Sequence, residues 1–138
     1  MDDLDKQKKR IIKILGEKES DTEKNLNSTN KYYNYLKVNI NYPCKLTGIE
    51  DFPWEERFLL GYGDKDEYEE LKKENPSYAD SFELIELLEP ENTDIFAKVR
   101  RISDNKIFKI RMDWLTAEDE GNPNYQLMED YSGWWVNY

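Results

Sequence analysis

The chain of 138 residues contains no histidine and a single cysteine, Cys44. Without histidine there is no Ser-His-Asp or Cys-His nucleophile system, and none of the common histidine-containing zinc or iron sites. One thiol makes neither an internal disulfide nor a CxxC pair, which points to a reducing compartment. Basic residues are scarce: 20 Lys and Arg stand against 30 Asp and Glu, a net charge of −10 with a pI near 4.6. A protein of this sign repels phosphate, so nucleic acid and anionic membrane are excluded as main partners. Apolar runs are short, none approaching the roughly 20 residues that span a bilayer. Residues 1–16 begin acidic and interleave lysines with their apolar residues, unlike the apolar core of a secretory signal. A cytoplasmic protein is expected, and no catalytic signature marks it as an enzyme.

What the chain does have is carboxylate and aromatic mass. Four Trp, ten Tyr and five Phe make 14% of the residues aromatic, far more than a disordered acidic tail carries. The charge is uneven. Residues 1–44 hold 7 acidic and 9 basic side chains, a net of +2, whereas residues 45–138 hold 23 and 11, a net of −12. A folded domain with an anionic surface, over residues 32–138, is expected to follow an N-terminal arm, residues 1–31.

In that arm, Leu4, Ile11, Ile12 and Leu15 fall near helical spacing and Gly16 is a stop, so residues 1–16 predict an amphipathic helix docked on the domain. Residues 17–31 have one apolar residue, Leu26, and read as a polar linker. Residues 35–40 alternate weakly and, ahead of Pro43, suggest an edge strand. Residues 57–62 form an apolar run ending in turn signals. Residues 64–75 predict a helix opened by Asp64 with Glu67 at capping-box spacing and ended by Pro76. Residues 81–88 alternate apolar and acidic side chains with one slip, predicting a strand. Residues 94–112 predict an antiparallel hairpin turning at Asp104-Asn105, with Ile95, Ala97 and Val99 on one face and Phe96, Lys98 and Arg100 on the other. Leu127, Tyr131, Trp134 and Trp135 predict a C-terminal helix whose aromatics pack in the core. The sum is a small α+β domain: an antiparallel sheet, curling into a partial barrel, with a few short helices.

Several motif fragments fail on inspection. Ser28-Thr29-Asn30-Lys31 and Ser103-Asp104-Asn105 imitate the SxxK and SDN elements of serine β-lactamases, but no KTG element follows and the second is better read as a hairpin turn. Gly61-Tyr62-Gly63 lacks the third glycine of a dinucleotide loop, since residue 66 is Asp. Asp64-Lys65-Asp66 opens like an EF-hand loop, yet Glu69 stands where glycine is required and Asn75 where the bidentate glutamate belongs. Acids at a helix start with Lys72 and Lys73 near its end are what the helix dipole favours.

The carboxylate clusters are harder to dismiss. Glu50, Asp51, Glu55 and Glu56 surround Phe52, Pro53 and Trp54, and Pro53 fits the first turn of a short helix capped by Asp51 or Phe52. In such a turn Asp51 and Glu55 face each other at i, i+4, where like charges repel unless solvent, a cation or a shared proton relieves them. A solvated acidic turn is the plain alternative. Glu118, Asp119 and Glu120 form a second cluster, and Glu129-Asp130 a third. Oxygen-only clusters suit hard cations, calcium before magnesium, because calcium tolerates irregular six- to eight-fold oxygen geometry.

Four stretches, YPCKLTGIEDFPWEE, FLLGYGDKDEYEELKKENPSYADSFEL, VRRISDNKIFKIRMDWL and NPNYQLMEDYSGWWVNY, resemble the cyanobacterial calcium-binding protein family of the CcbP type over residues 42–138. The resemblance implies a small acidic protein that binds Ca2+ without EF-hands and buffers or senses cytosolic calcium through surface carboxylates. The metal candidates are taken from the charge clusters: Glu50, Asp51, Glu55 and Glu56 first, then Glu118, Asp119 and Glu120. Without a 12-residue cage, affinity is expected on the order of 10⁻⁶ to 10⁻⁴ M. An acidic interaction module that takes a basic protein partner, as an inhibitor or a mimic of nucleic-acid charge, is the alternative. A carboxylate-pair hydrolase needs a cleft that a domain this small rarely forms.

Overall fold

The structure is a computed structural model describing residues 2–138. Helix α1 (Asp3–Leu15) starts where the Asp2 carboxylate accepts the Asp5 amide at 2.8 Å and stops at Gly16, whose φ of 129° suits glycine. It buries Ile11 and Leu15, as the amphipathic pattern predicts. Met1, included in the expected segment 1–16, lies outside the described residues.

The next stretch corrects the sequence reading. Residues 17–31 are not a linker, because they hold the single-turn α2 (Glu19–Thr22) and the start of α3 (Leu26–Asn39). Asn25 caps α3, its side chain accepting the Ser28 amide at 2.9 Å while the Ser28 hydroxyl accepts the Asn25 amide. The edge strand expected over residues 35–40 is instead the end of α3, with Ile40 as its C-terminal cap. Tyr32, Tyr33, Leu36 and Ile40, at spacings of one, four and eight, are all buried. A window of six residues shows such a helix as weak alternation, which is how the period was misread.

Five strands follow: β1 (Lys45–Gly48), β2 (Phe82–Glu91), β3 (Asp94–Arg101), β4 (Ile107–Arg111) and β5 (Leu115–Ala117). They form one sheet in the order β4-β3-β2-β1-β5, with every neighbouring pair antiparallel. The sheet is open and does not curl into the expected partial barrel. Its two edges are strands of five and three residues, and α3 packs on β2 and β3 while α6 (Pro123–Asn137) packs on β5. The hairpin β3–β4 forms where the alternation placed it, but its connection is the five residues 102–106 and not a two-residue turn at Asp104-Asn105. Ile95, Ala97 and Val99 are buried, and Asn105 takes the left-handed conformation with φ 63°. The slip read within residues 81–88 is a register shift in β2 between Leu84 and Glu86.

The helix read at 64–75 is α5 (Lys65–Glu74), and a short α4 (Glu56–Leu59) precedes it. Asp64 caps α5 by accepting the Asp66 amide at 3.0 Å. The aromatic C-terminus is structural. Trp134 and Tyr131 are fully buried with Tyr32, ring centroids 5.0 to 5.9 Å apart, and the Trp134 Nε1 donates to the Thr22 carbonyl at 2.8 Å. Gly133, which made the helix doubtful in sequence, gives α1 room. A Cβ there would sit 2.4 Å from the Gln7 side chain.

Candidate functional site

The Glu50–Glu56 segment leaves β1 held by two backbone bonds, from the Gly48 amide to the Tyr78 carbonyl and from the Ile49 amide to the Trp114 carbonyl. Pro53, with its φ already suited to a helical turn, opens a single 3-10 turn, Pro53–Glu55, and Phe52 precedes it as the capping residue. Phe52 is buried against Trp114, their centroids 5.5 Å apart, which drives the turn onto the core.

That anchoring decides the fate of the expected acidic pair. Asp51 is exposed, whereas Glu55 is fully buried. Glu55 Oε2 accepts the amides of Phe52 and Tyr78, each at 3.0 Å, and Oε1 accepts the hydroxyls of Tyr68 at 2.9 Å and Ser77 at 2.5 Å. Four donors on two oxygens satisfy this carboxylate, so it ties the turn, α5 and the 76–80 loop into one unit. Burial, then the hydrogen bond to Glu55, pushes the Tyr68 hydroxyl up to about 12. Glu55 does not fit the part of a metal ligand, and it does not pair with Asp51.

Glu50, Asp51 and Glu56 are exposed, and among the described residues no donor engages their carboxylates. Glu118, Asp119 and Glu120 are likewise exposed, just past β5. The Ser81 hydroxyl donates to Glu118, and Asp119 Oδ1 accepts the Gly121 amide at 2.9 Å. Glu118 and Asp119 share a hollow of about 390 Å³ with Lys45. Glu120 lies instead in a hollow of about 530 Å³ with Asp3, Glu129 and Asp130, where Arg10 grips Asp130 with two bonds of 2.7 and 2.9 Å. The second cluster is thus split between two hollows, and half of the third is already neutralised. Among the described residues no three Asp, Glu or Cys side chains gather closely enough to hold an ion.

One oxygen-rich recess escaped the sequence reading, and its cation is built in. The buried Arg101 guanidinium donates to the carbonyls of Lys72, Lys73 and Asn75 at 2.8 to 2.9 Å and to the carboxylates of Asp80 and Asp104. It caps the C-terminal end of α5, where free carbonyls and the helix dipole attract a positive charge. The Arg101 guanidinium holds the Asp104 carboxyl down to about 2. The available signal was the strand alternation itself, since the burial of Ile95, Ala97 and Val99 carries Arg101 inward as well.

No family model matches this chain, and no curated protein matches it. Among solved structures it is similar to the crystal structure of Anabaena CcbP, with 12% sequence identity and a TM-score of 0.58 over 99% of this chain and 93% of that one. At this identity the likeness is one of fold.

Proposed function

We propose that this protein binds calcium through exposed carboxylates and so buffers or senses the ion. The observation that carries the reading is the CcbP-like fold bearing a −12 charge over residues 45–138. The residues with carboxylates free to coordinate are Glu50, Asp51 and Glu56; Glu118 and Asp119 at the end of β5, each accepting one hydrogen bond, are the second candidates. Glu55 is left out, because its oxygens serve the fold. With no preassembled cage, ordering the ligands opposes binding, and the affinity belongs at the weak end of the expected range, on the order of 10⁻⁴ M.

Calorimetric titration of the whole chain with calcium, then magnesium, in ~150 mM salt tests this, since exposed charges beyond about 8 Å are screened there. The expected result is a saturable calcium isotherm, a weaker magnesium one, and loss of affinity in Asp51→Asn or Asp119→Asn with an unchanged fold. Equal responses to both ions, unaltered by either substitution, would mean diffuse screening and no site.

A further inference from the structure

Beside the carboxylate turn the surface changes character. Leu60 is 63% exposed, Tyr62 83% and Leu59 46%, three large exposed apolar side chains within four residues. They stand on a rigid tip. The Leu60 amide bonds the Glu56 carbonyl, the Gly61 amide that of Phe58, and the Tyr62 amide that of Arg57, at 2.8 to 3.2 Å. Gly61 takes φ 86°, and a Cβ on Gly63 would lie 2.3 Å from the Phe58 ring. Both glycines are therefore required for the tip to fold back on α4. Behind it, Phe58 stacks on Tyr68 at 5.1 Å and both meet Trp54. The result is an open groove of about 610 Å³, floored by Trp54 and Leu71 and walled by Leu60 and Tyr62.

The charge around the groove names its occupant. Residues 50–74 carry ten acidic and four basic side chains. Three of the four bases are already bound to acids of the same stretch: Arg57 to Glu67 at 3.1 Å, Lys73 to Glu70 at 3.0 Å and Lys72 to Glu69 at 3.8 Å. Glu50, Asp51 and Glu56 on the adjoining turn and Asp66 on α5 have no such partner among the described residues. A mostly apolar trough that carries the unpaired Glu56 in its lining, with Arg57 neutralised by Glu67, in a stretch rich in further unpaired acids, complements one kind of segment: an amphipathic helix with large apolar side chains on one face and Lys or Arg flanking them.

We propose that the groove formed by Trp54, Leu60, Tyr62 and Leu71 docks a basic amphipathic helix of a partner protein. The tip presents its apolar residues already ordered by backbone bonds, so docking costs little further entropy there. Leu60 and Tyr62 supply the central apolar contact, and the acidic excess of residues 50–74, with Glu56 in the groove itself, selects a cationic partner and speeds its encounter. Glu50, Asp51 and Glu56 are also the proposed calcium ligands, so docking is tested in EDTA, where its outcome does not depend on whether the ion binds.

The test uses the full chain and three fluorescent 14-residue peptides in ~150 mM salt: an amphipathic Leu/Lys helix, its Leu/Glu counterpart, and a Leu/Lys peptide of the same composition shuffled to abolish the apolar face. Anisotropy should show the amphipathic Leu/Lys peptide binding and the other two at least tenfold weaker. Leu60→Ser and Tyr62→Ser, both at exposed positions, should each weaken it about tenfold or more, the scale of one large apolar side chain left unburied. Their melting temperatures should stay at the wild-type value. The proposal is overturned if the shuffled peptide binds as well as the amphipathic one, which would mean charge attraction alone, or if neither serine variant changes the affinity. It is equally overturned if sedimentation shows a wild-type dimer that Leu60→Ser converts to monomer, since the face would then belong to a second copy.

Discussion

Replacing Glu55 with alanine should do more damage than any other loss of a carboxylate from the acidic turn, and the structure sets the scale. The side chain is fully buried and accepts four donors: two backbone amides and the hydroxyls of Tyr68 and Ser77. A hydrogen bond to a charged group contributes roughly 1.5–3 kcal/mol, but four bonds to one carboxylate do not add. Two buried amides left without an acceptor cost about 1–3 kcal/mol each, while the Tyr68 and Ser77 hydroxyls can reorient, so about 3–5 kcal/mol in total is the better guide. Against a total stability of about 5–15 kcal/mol, Glu55→Ala should still fold at low temperature. At roughly 3 °C per kcal/mol for a chain of this size, it should melt about 10–15 °C lower. Glu55→Gln keeps the shape and one acceptor oxygen, but turns an amide NH2 toward two donors, and should lose about 2 kcal/mol. Thermal denaturation by circular dichroism measures both, and hydrogen exchange at Phe52 and Tyr78 reports the loss locally. A Glu55→Ala melting point within 2 °C of wild type, with both amides still protected, would refute the structural role. By contrast Asp51→Asn, at an exposed position, should leave the melting point unchanged.

The Asp104 carboxyl titrates at about 2 in the folded protein against an ordinary value of 3.8, because Arg101 favours its charged form; its stabilisation is therefore complete above pH 4 and lost as pH falls through about 2. Urea denaturation should show Asp104→Asn less stable than wild type at pH 7 and the gap closing between pH 4 and pH 2, and a gap constant with pH would contradict the assignment. Trp134→Ala removes a fully buried ring and its bond to the Thr22 carbonyl, and should cost about 3–5 kcal/mol. Removal of residues 134–138 should unfold the chain, and a truncated protein that keeps its melting temperature would show that Trp134 is dispensable.

Much of the fold follows from local pattern. The hairpin of residues 94–112 was legible because an eight-residue alternation of buried and half-exposed side chains has no helical interpretation. Helix α5 was legible because Asp64 caps it and Pro76 bars its extension, both properties of a few neighbouring residues. The slip in residues 81–88 even announced the bulge in β2. Helix α3 was not legible, because its sequence is rich in Asn, Tyr and Lys and is helical chiefly through the burial of Tyr32 and Leu36 against distant elements. Tertiary packing, not propensity, holds most helices together, so residues 17–31 read as a linker while structurally they lead into the core.

The site divides along the same line. Composition alone excluded histidine chemistry and established an acidic, aromatic domain, because residue counts and net charge do not depend on where the chain goes. The order of residues located the carboxylates in three clusters. Which of them face solvent was decided only by tertiary structure. Glu50, Asp51, Glu55 and Glu56 are neighbours in sequence, yet Phe52 packing under Trp114 turns Glu55 inward, toward donors 13 to 23 residues away. The exposure of Tyr62 is invisible locally, since an aromatic ring is expected inside; the burial of Arg101 is signalled by strand alternation alone, and its partners on α5 and the 76–80 loop are set by the fold. A side chain's charge belongs to the sequence, but its environment is set by groups that only the folded chain brings within a few ångströms.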